Sequence, residues 1–467
     1  MKTSPMRRGT WPHSLMWAAV GLSILLWAAI FAASVQGTYD TAVGVTLFHV
    51  IGAVGAAGTW FVARRTETQA VVRIIVAGWV AKMLGTLASF YVLQVVYGGA
   101  GDATRYTRVG AVVADTLRAG RLESPSPGTR FVGTTFLEFV TGVVFAFTGQ
   151  TTLGGFAVFS ALGFVGLLLI YRGVRIAAPE VDRQRFARLL FFLPSMVFWP
   201  SAIGKEALML LAIGLFIYGA ARLFVGSGTG LIALAAGCAL SAMVRPHITL
   251  MLVAALVLAT VLVRSSAASR HNPLGKMLRI ALAGTLLVWA AVAAGSFLEL
   301  DQLDSGSVGA ALKSTSDQTY TGGSAFSNAS PANLPLAVIT VLYRPLPFEV
   351  GNLQAAIASF EGMLLLALTI RWRQSVLAAI KGARSSPLLA IALAYIVVFV
   401  SAYTGFNNFG LLARQRVQVY PFLILILCVV GQPPRASAAD DGKTLAKANH
   451  SRFGSPTATP PSPVKGQ

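Results

Sequence analysis

Apolar residues run in long blocks along most of the chain, separated by short polar stretches. Blocks of about 18–25 residues match the ~30 Å hydrocarbon layer of a bilayer. They predict spans at 15–35, 43–63, 72–97, 131–149, 153–171, 187–203, 207–225, 228–244, 249–264, 277–297, 353–370, 386–403 and 417–431. The expected fold is all-α: a polytopic transmembrane bundle of about 12–13 helices. Residues 103–119 carry a different pattern, with Val109, Val112, Val113 and Leu117 forming an apolar stripe opposite polar positions. That stripe predicts an amphipathic helix on the membrane surface, within the first large outer loop.

The pattern divides the chain into three regions. Residues 1–71 hold a cytoplasmic N-terminus and an extra hairpin, and 72–431 form the main membrane body. Residues 432–467 are rich in Pro, Ser, Ala and Lys with no apolar period, which predicts a disordered cytoplasmic tail. The first apolar block follows a basic start but lacks a clear small-residue cleavage site, so it is expected to be a retained span.

Composition agrees with a membrane protein: 55% of residues are hydrophobic, only 12% are charged, and mean hydropathy is +0.68. A net charge of +20 could point to nucleic acid in a soluble chain. Here Lys and Arg gather in short loops and tails, where they set orientation instead. The segments 1–8, 63–69, 263–279 and 371–386 and the tail are therefore expected in the cytoplasm. Outer loops are expected at 98–130, 298–350 and 404–416. The arginine-rich loop 172–188 also belongs inside, which requires 131–171 to cross only once, its remainder lying re-entrant or in the interface. Cys238 and Cys428 both sit in apolar blocks, without the spacing of a disulfide framework or a metal site.

Candidate chemistry lies in five polar constellations on the predicted outer face, because ionisable groups beside apolar spans are costly to keep. In "GDATRYTRV", Asp102, Arg105, Tyr106 and Val109 share one helix face, and Arg105, Arg108, Arg118, Arg121 and Arg130 run against the positive-inside trend. Such basic residues suit an anionic partner such as a lipid phosphate or pyrophosphate. Lys205 and Glu206 stand between two apolar blocks, and Arg245 and His247 flank Pro246 in a tight turn. Arg344, Glu349, Asn352 and Glu361 cluster where the chain re-enters the membrane after the long outer loop. Asn407, Asn408, Arg414 and Arg416 precede the last span, and the two arginines, two residues apart, cannot share one helix face. Five such groups on one face predict a site at the outer membrane boundary for an anionic, hydroxyl-bearing substrate.

A span followed by "GDATRY" and an outer helix ending in "AGR" is similar to the start of the C-type (GT-C) membrane glycosyltransferases. These include the protein O-mannosyltransferases and the lipid A aminoarabinose transferases. The resemblance covers roughly residues 72–225. It implies a polyprenyl-phosphate-linked sugar donor, a glycan, lipid or protein acceptor, and transfer outside the cytoplasmic membrane. It places Asp102 at the family's first-loop aspartate and Glu206 at its second acidic position. Arg414 or Arg416 would then contact the donor phosphate. The hairpin 15–63 is extra to the family pattern, and the second acid follows Lys205 instead of belonging to an acidic pair.

The chemistry expected has Asp102 as general base and Glu206 positioning the acceptor or a divalent cation (Mg2+ or Mn2+). Arg105, Tyr106, Lys205, Arg245, His247, Arg344, Glu349, Asn352, Asn408, Arg414 and Arg416 are the candidate substrate-binding residues. Asp102 and Glu206 are the candidate ligands of any metal. Two alternatives use the same features: a lipid-linked polysaccharide polymerase or ligase, served by the loop 298–350, and a transporter or flippase. The latter calls for mid-span charges and a repeated half, whereas the blocks read as nearly free of charge with no repeat. No glycine-rich phosphate loop is present to support a soluble nucleotide-binding protein.

Overall fold

The computed structural model describes residues 37–122, 130–263, 334–404, 406 and 408–430, with Ala32, Gly284, Thr285 and Val288 besides. Nearly all of the expected spans 15–35 and 277–297, most of the loop 298–350, Asn407 and the tail 432–467 lie outside the described residues. Among the described residues the elements are helical, apart from one isolated bridge between Val181 and Val429.

In chain order the helices are α1 (Tyr39–Arg64), α2 (Gln69–Tyr91), α3 (Asp102–Arg118), α4 (Thr134–Thr148) and α5 (Thr152–Ala177). Then come α6 (Arg183–Phe192), α7 (Pro194–Phe198), α8 (Lys205–Phe224), α9 (Gly230–Val244) and α10 (Pro246–Leu262). The described C-terminal part holds α11 (Leu334–Tyr343), α12 (Leu353–Arg371), α13 (Arg373–Gly382), α14 (Pro387–Tyr403), α15 (Phe409–Gln415) and α16 (Tyr420–Leu427). Among the described residues five helices are long and apolar enough to cross a membrane, or seven if two bent pairs each count as one span. The bends are 112° between α13 and α14 and 62° between α15 and α16, and Pro387 and Pro421 sit in the first turns beyond them.

Prolines also overturn the expected continuous span at 187–203. The chain breaks there into α6, the single turn α7 opening on Pro194, and a 3-10 turn at Trp199–Ser201 containing Pro200. A broken helix leaves carbonyls without backbone donors. Lys82 of α2 donates to the Met196 carbonyl (2.8 Å) and Ser89 to that of Phe198 (3.0 Å). The Ser195 backbone N–H and hydroxyl both bond the Glu361 carboxylate. Contrary to the expectation of spans nearly free of charge, buried charged residues do occur within the apolar blocks: Lys82 in α2, Glu138 in α4 and Glu361 in α12. Lys82 and Glu361 are retained there as partners of the broken segment.

α5 and α8 form the centre of the bundle. At their crossing a side chain on Gly214 would collide with the Gly166 backbone, so only glycine lets the helices approach this closely. α4, with 15 residues, packs against α3. Gly133 bonds the Met243 carbonyl near one end of α4, while Gln150 beyond its other end bonds the Asp115 carboxylate and the Ala111 carbonyl of α3. α5, with 26 residues, has the length to cross. α3 packs by Tyr106, Gly110, Val113 and Ala114; of the expected stripe Val113 is buried, Val109 and Leu117 are half-buried, and Val112 points outward at 62% exposure.

Candidate functional site

The ends of α2, α8, α9 and α15 converge on one cavity or its immediate wall. Positive-φ Gly98 and Gly99 turn the chain out of α2 and deliver Asp102 to the first turn of α3. The extended residue Gly204 precedes α8, whose first turn carries Lys205 and Glu206. Pro246 ends α9 and leaves Arg245 at the junction with α10. Asn408 caps α15 by accepting the Leu411 N–H (3.1 Å), and α15 then presents Arg414.

Arg414 ties these elements together. Its Nη1 donates to Asp102 Oδ2 (3.0 Å), its Nη2 to Glu206 Oε2 (3.0 Å), and its Nε lies 2.8 Å from Glu206 Oε1. Arg245 Nη2 donates to the same Glu206 Oε1 at 2.7 Å. Glu206 is 2% exposed and saturated by two guanidiniums, whereas the Asp102 side chain is 61% exposed. The two carboxylates thus play different parts: Glu206 anchors the arginines, and Asp102 remains accessible. Each terminal nitrogen of Arg414 makes one of these hydrogen bonds and keeps a second N–H.

A second network stands beside the first. Lys205 Nζ donates to the Thr134 hydroxyl (3.1 Å), and Tyr106 of α3 is buried. Burial, followed by the Asp102 carboxylate, pushes the Tyr106 phenol up to about 12, so it keeps its proton. Arg105 Nε donates to Glu138 (2.9 Å), whose side chain is wholly buried. His247 lies within electrostatic range of Arg245 and Lys205.

The cavity has a volume of about 550 Å³ and is walled by Asp102, Glu206, Asn408 and Arg414 with Phe156, Trp199 and Leu411. Next to it runs a groove of about 550 Å³ between α2 and α12, floored by the broken segment and lined almost throughout by apolar side chains such as Leu84, Ala88, Val96, Phe192 and Ile357. Val92, Tyr97, Phe198, Trp199 and Gln354 line both spaces, so the groove and the polar cavity share a wall.

Several expected site residues lie elsewhere. Arg416 is buried and donates to the Val341 (2.6 Å) and Thr340 (3.2 Å) carbonyls at the end of α11. The constellation expected at 344–361 divides into three. Arg344 and Glu349 pair with each other in a turn, and Arg344 also stacks over Phe409. Asn352 caps α12 through the Ala355 N–H (2.8 Å), and Glu361 lies within α12, bonded to Ser195. Glu349 is held below the usual carboxylate range: burial alone would raise it, but hydrogen bonds from Arg344 and the Leu346 N–H, with the Arg344 charge, outweigh burial.

Sequence reasoning missed Thr134, Glu138, Tyr97, Gln354 and Trp199. Glu138 carried a usable signal, a lone carboxylate in an apolar block. The others are ordinary interface residues that only three-dimensional convergence singles out. Among the described residues no three potential metal-ligating side chains gather. The Arg414 guanidinium lies between Asp102 and Glu206, where a shared cation would otherwise sit, and this donor set does not fit one.

No family model, curated protein or solved structure matches the chain.

Proposed function

We propose that the chain is a membrane glycosyltransferase that moves a sugar from a polyprenyl-phosphate donor to an acceptor hydroxyl at the outer face of the cytoplasmic membrane. The observation that carries this reading is the shared wall between an apolar groove and an arginine-rich cavity. A lipid with a long apolar tail and a phosphate head matches that pair of spaces in order. The electrostatics agree, since Arg245, Arg414 and Lys205 outnumber the carboxylates Asp102 and Glu206. These residues also supply the charges expected from the resemblance to the C-type glycosyltransferases.

The chemistry rests on the roles the two carboxylates can fill. Asp102, accessible and oriented by Arg414, removes the proton from the acceptor hydroxyl as its oxygen attacks the anomeric carbon. The bond from that carbon to the phosphate oxygen breaks, and the phosphate leaves with the electron pair. The second N–H of each Arg414 terminal nitrogen meets the growing charge, while Glu206, itself bonded by Arg245, holds the guanidinium in place. Attack opposite the leaving group inverts the anomeric configuration. No step requires the divalent cation considered from sequence, because Arg414 fills the position between the carboxylates. The acceptor, whether glycan, lipid or protein, approaches from the aqueous side, and nucleic acid has no part.

The test is a transfer assay in membranes with polyprenyl-phosphate sugars. Wild type is expected to release polyprenyl phosphate and glycosylate the acceptor, and Asp102→Asn to lose about 10²–10⁴-fold in rate. Equal rates for the two would remove Asp102 from this role.

A further inference from the structure

A side-chain hydrogen bond crosses the wall between the groove and the cavity. Residues Val92–Val96 form a π-helical turn at the end of α2. Such a turn inserts extra backbone and shifts the residues beyond it out of α-register. Tyr97 comes directly after it and reaches across to α12, where its hydroxyl donates to Gln354 Oε1 at 2.8 Å. Asn352 fixes the start of α12, so Gln354 stands in the first helical turn at a set position. With Oε1 engaged by Tyr97, the amide is oriented and Nε2 keeps both hydrogens. Among the described residues Nε2 makes no hydrogen bond.

Gln354 lines the apolar groove on one side and the cavity of Asp102 and Arg414 on the other. A lipid seated with its tail in the groove and its charge near Arg414 passes its tail-to-phosphate junction directly by this amide. A neutral donor there can bond a phosphate oxygen without a charge having to be desolvated in the apolar wall.

We infer that Gln354, oriented by Tyr97, recognises the phosphate at the point where the lipid chain joins it, and so makes the site selective for a phosphorylated lipid over the corresponding alcohol. This assignment rests on the lipid-phosphate reading above and adds to it the residue that reads the junction. Tyr97 acts through Gln354 and is a positioning residue.

The experiment compares binding of undecaprenyl phosphate and undecaprenol to the purified full chain in detergent, for wild type, Gln354→Glu, Gln354→Met and Tyr97→Phe. Gln354→Glu keeps the shape but sets a carboxylate against the phosphate, and is expected to weaken undecaprenyl phosphate about tenfold. Gln354→Met keeps the length without the donor and is expected to cost about fivefold. Tyr97→Phe frees the amide to turn and is expected to cost about threefold. Undecaprenol binding should stay unchanged in all three, which also shows that the variants are folded. In the transfer assay the same variants should raise the donor KM and leave kcat intact.

The outcomes separate the two claims. Selectivity retained by both Gln354 variants would overturn the assignment of Gln354 and leave the lipid-phosphate reading standing. Wild type binding the phosphate and the alcohol equally would overturn both. A matching loss for undecaprenol would reduce Gln354 to a packing residue of the groove.

Discussion

Two arginines only two positions apart have opposite surroundings. Arg414 bonds two carboxylates in an open cavity, whereas Arg416 is enclosed and satisfies backbone carbonyls of α11. Their sequence separation showed that they face different ways, but not which one faces the site. The consequences of substitution should differ in kind. Arg414→Lys keeps the charge but loses the planar fork that spans Asp102 and Glu206, so kcat/KM should fall about 10²-fold or more with little change in thermal stability. Arg416→Ala should instead destabilise by about 1–3 kcal/mol for each carbonyl left buried without a donor, with the donor KM unchanged. Steady-state kinetics beside a thermal melt in detergent would check both. Asp102 was legible because a glycine turn and an acid directly after an apolar block have few structural reasons to coincide. Glu206 was legible as a position, but its part as an arginine anchor depends on Arg245 and Arg414 arriving from distant helices.

Periodicity gave the long helices α1, α2, α5, α8 and α12 nearly to their ends, because each carries an uninterrupted apolar block. It failed over 183–204, where mean hydropathy hides the effect of Pro194 and Pro200 on the backbone. The broken segment holds its shape through side chains of other helices, and Lys82 is the clearest case. Lys82→Met would leave the Met196 carbonyl buried without its donor and should lower stability by about 1–3 kcal/mol, read as the shift in the thermal melt. The turn before α12 adds a pH-dependent element. The Glu349 carboxyl titrates below its usual 4.5 because it is ionised while bonded to Arg344 and the Leu346 N–H. Its contribution is thus complete above the ordinary value and fades as pH falls through the lowered one. Melts recorded between pH 6 and pH 3 should show wild type losing more stability than Glu349→Gln, which has no charge to lose; parallel curves would remove Glu349 from this role.

At the scale of the molecule, the two ends of the bundle differ in chemistry. Asp102, Glu206, Arg245 and Arg414 gather at one end of the helices. At the other end Glu67 bonds Arg175 (2.5 Å) and Tyr171 (3.0 Å), and the Asp182 and Val430 N–H groups bond the Cys428 and Glu180 carbonyls respectively. The helical stretch Gln69–Val96 joins Glu67 at one end to the site at the other, and its 28 residues rise about 42 Å, more than a bilayer core. The loops rich in Lys and Arg, 63–69, 172–188 and 371–386, all lie at the Glu67 end. Under the positive-inside rule, the proposed function has that end in the cytoplasm and the site outside. Among the described residues local hydropathy overstated the number of crossings, because α4 is too short and α6 with α7 too broken to resemble spans in the structure. A labelling experiment tests the orientation directly, since Leu411 beside the site and Leu377 at the far end are both exposed and the native Cys238 and Cys428 are buried. A membrane-impermeant maleimide added to intact cells should label Leu411→Cys, and should reach Leu377→Cys only after the membrane is permeabilised. The reverse pattern would put Asp102 and Arg414 in the cytoplasm, where the proposed transfer to an external acceptor could not take place.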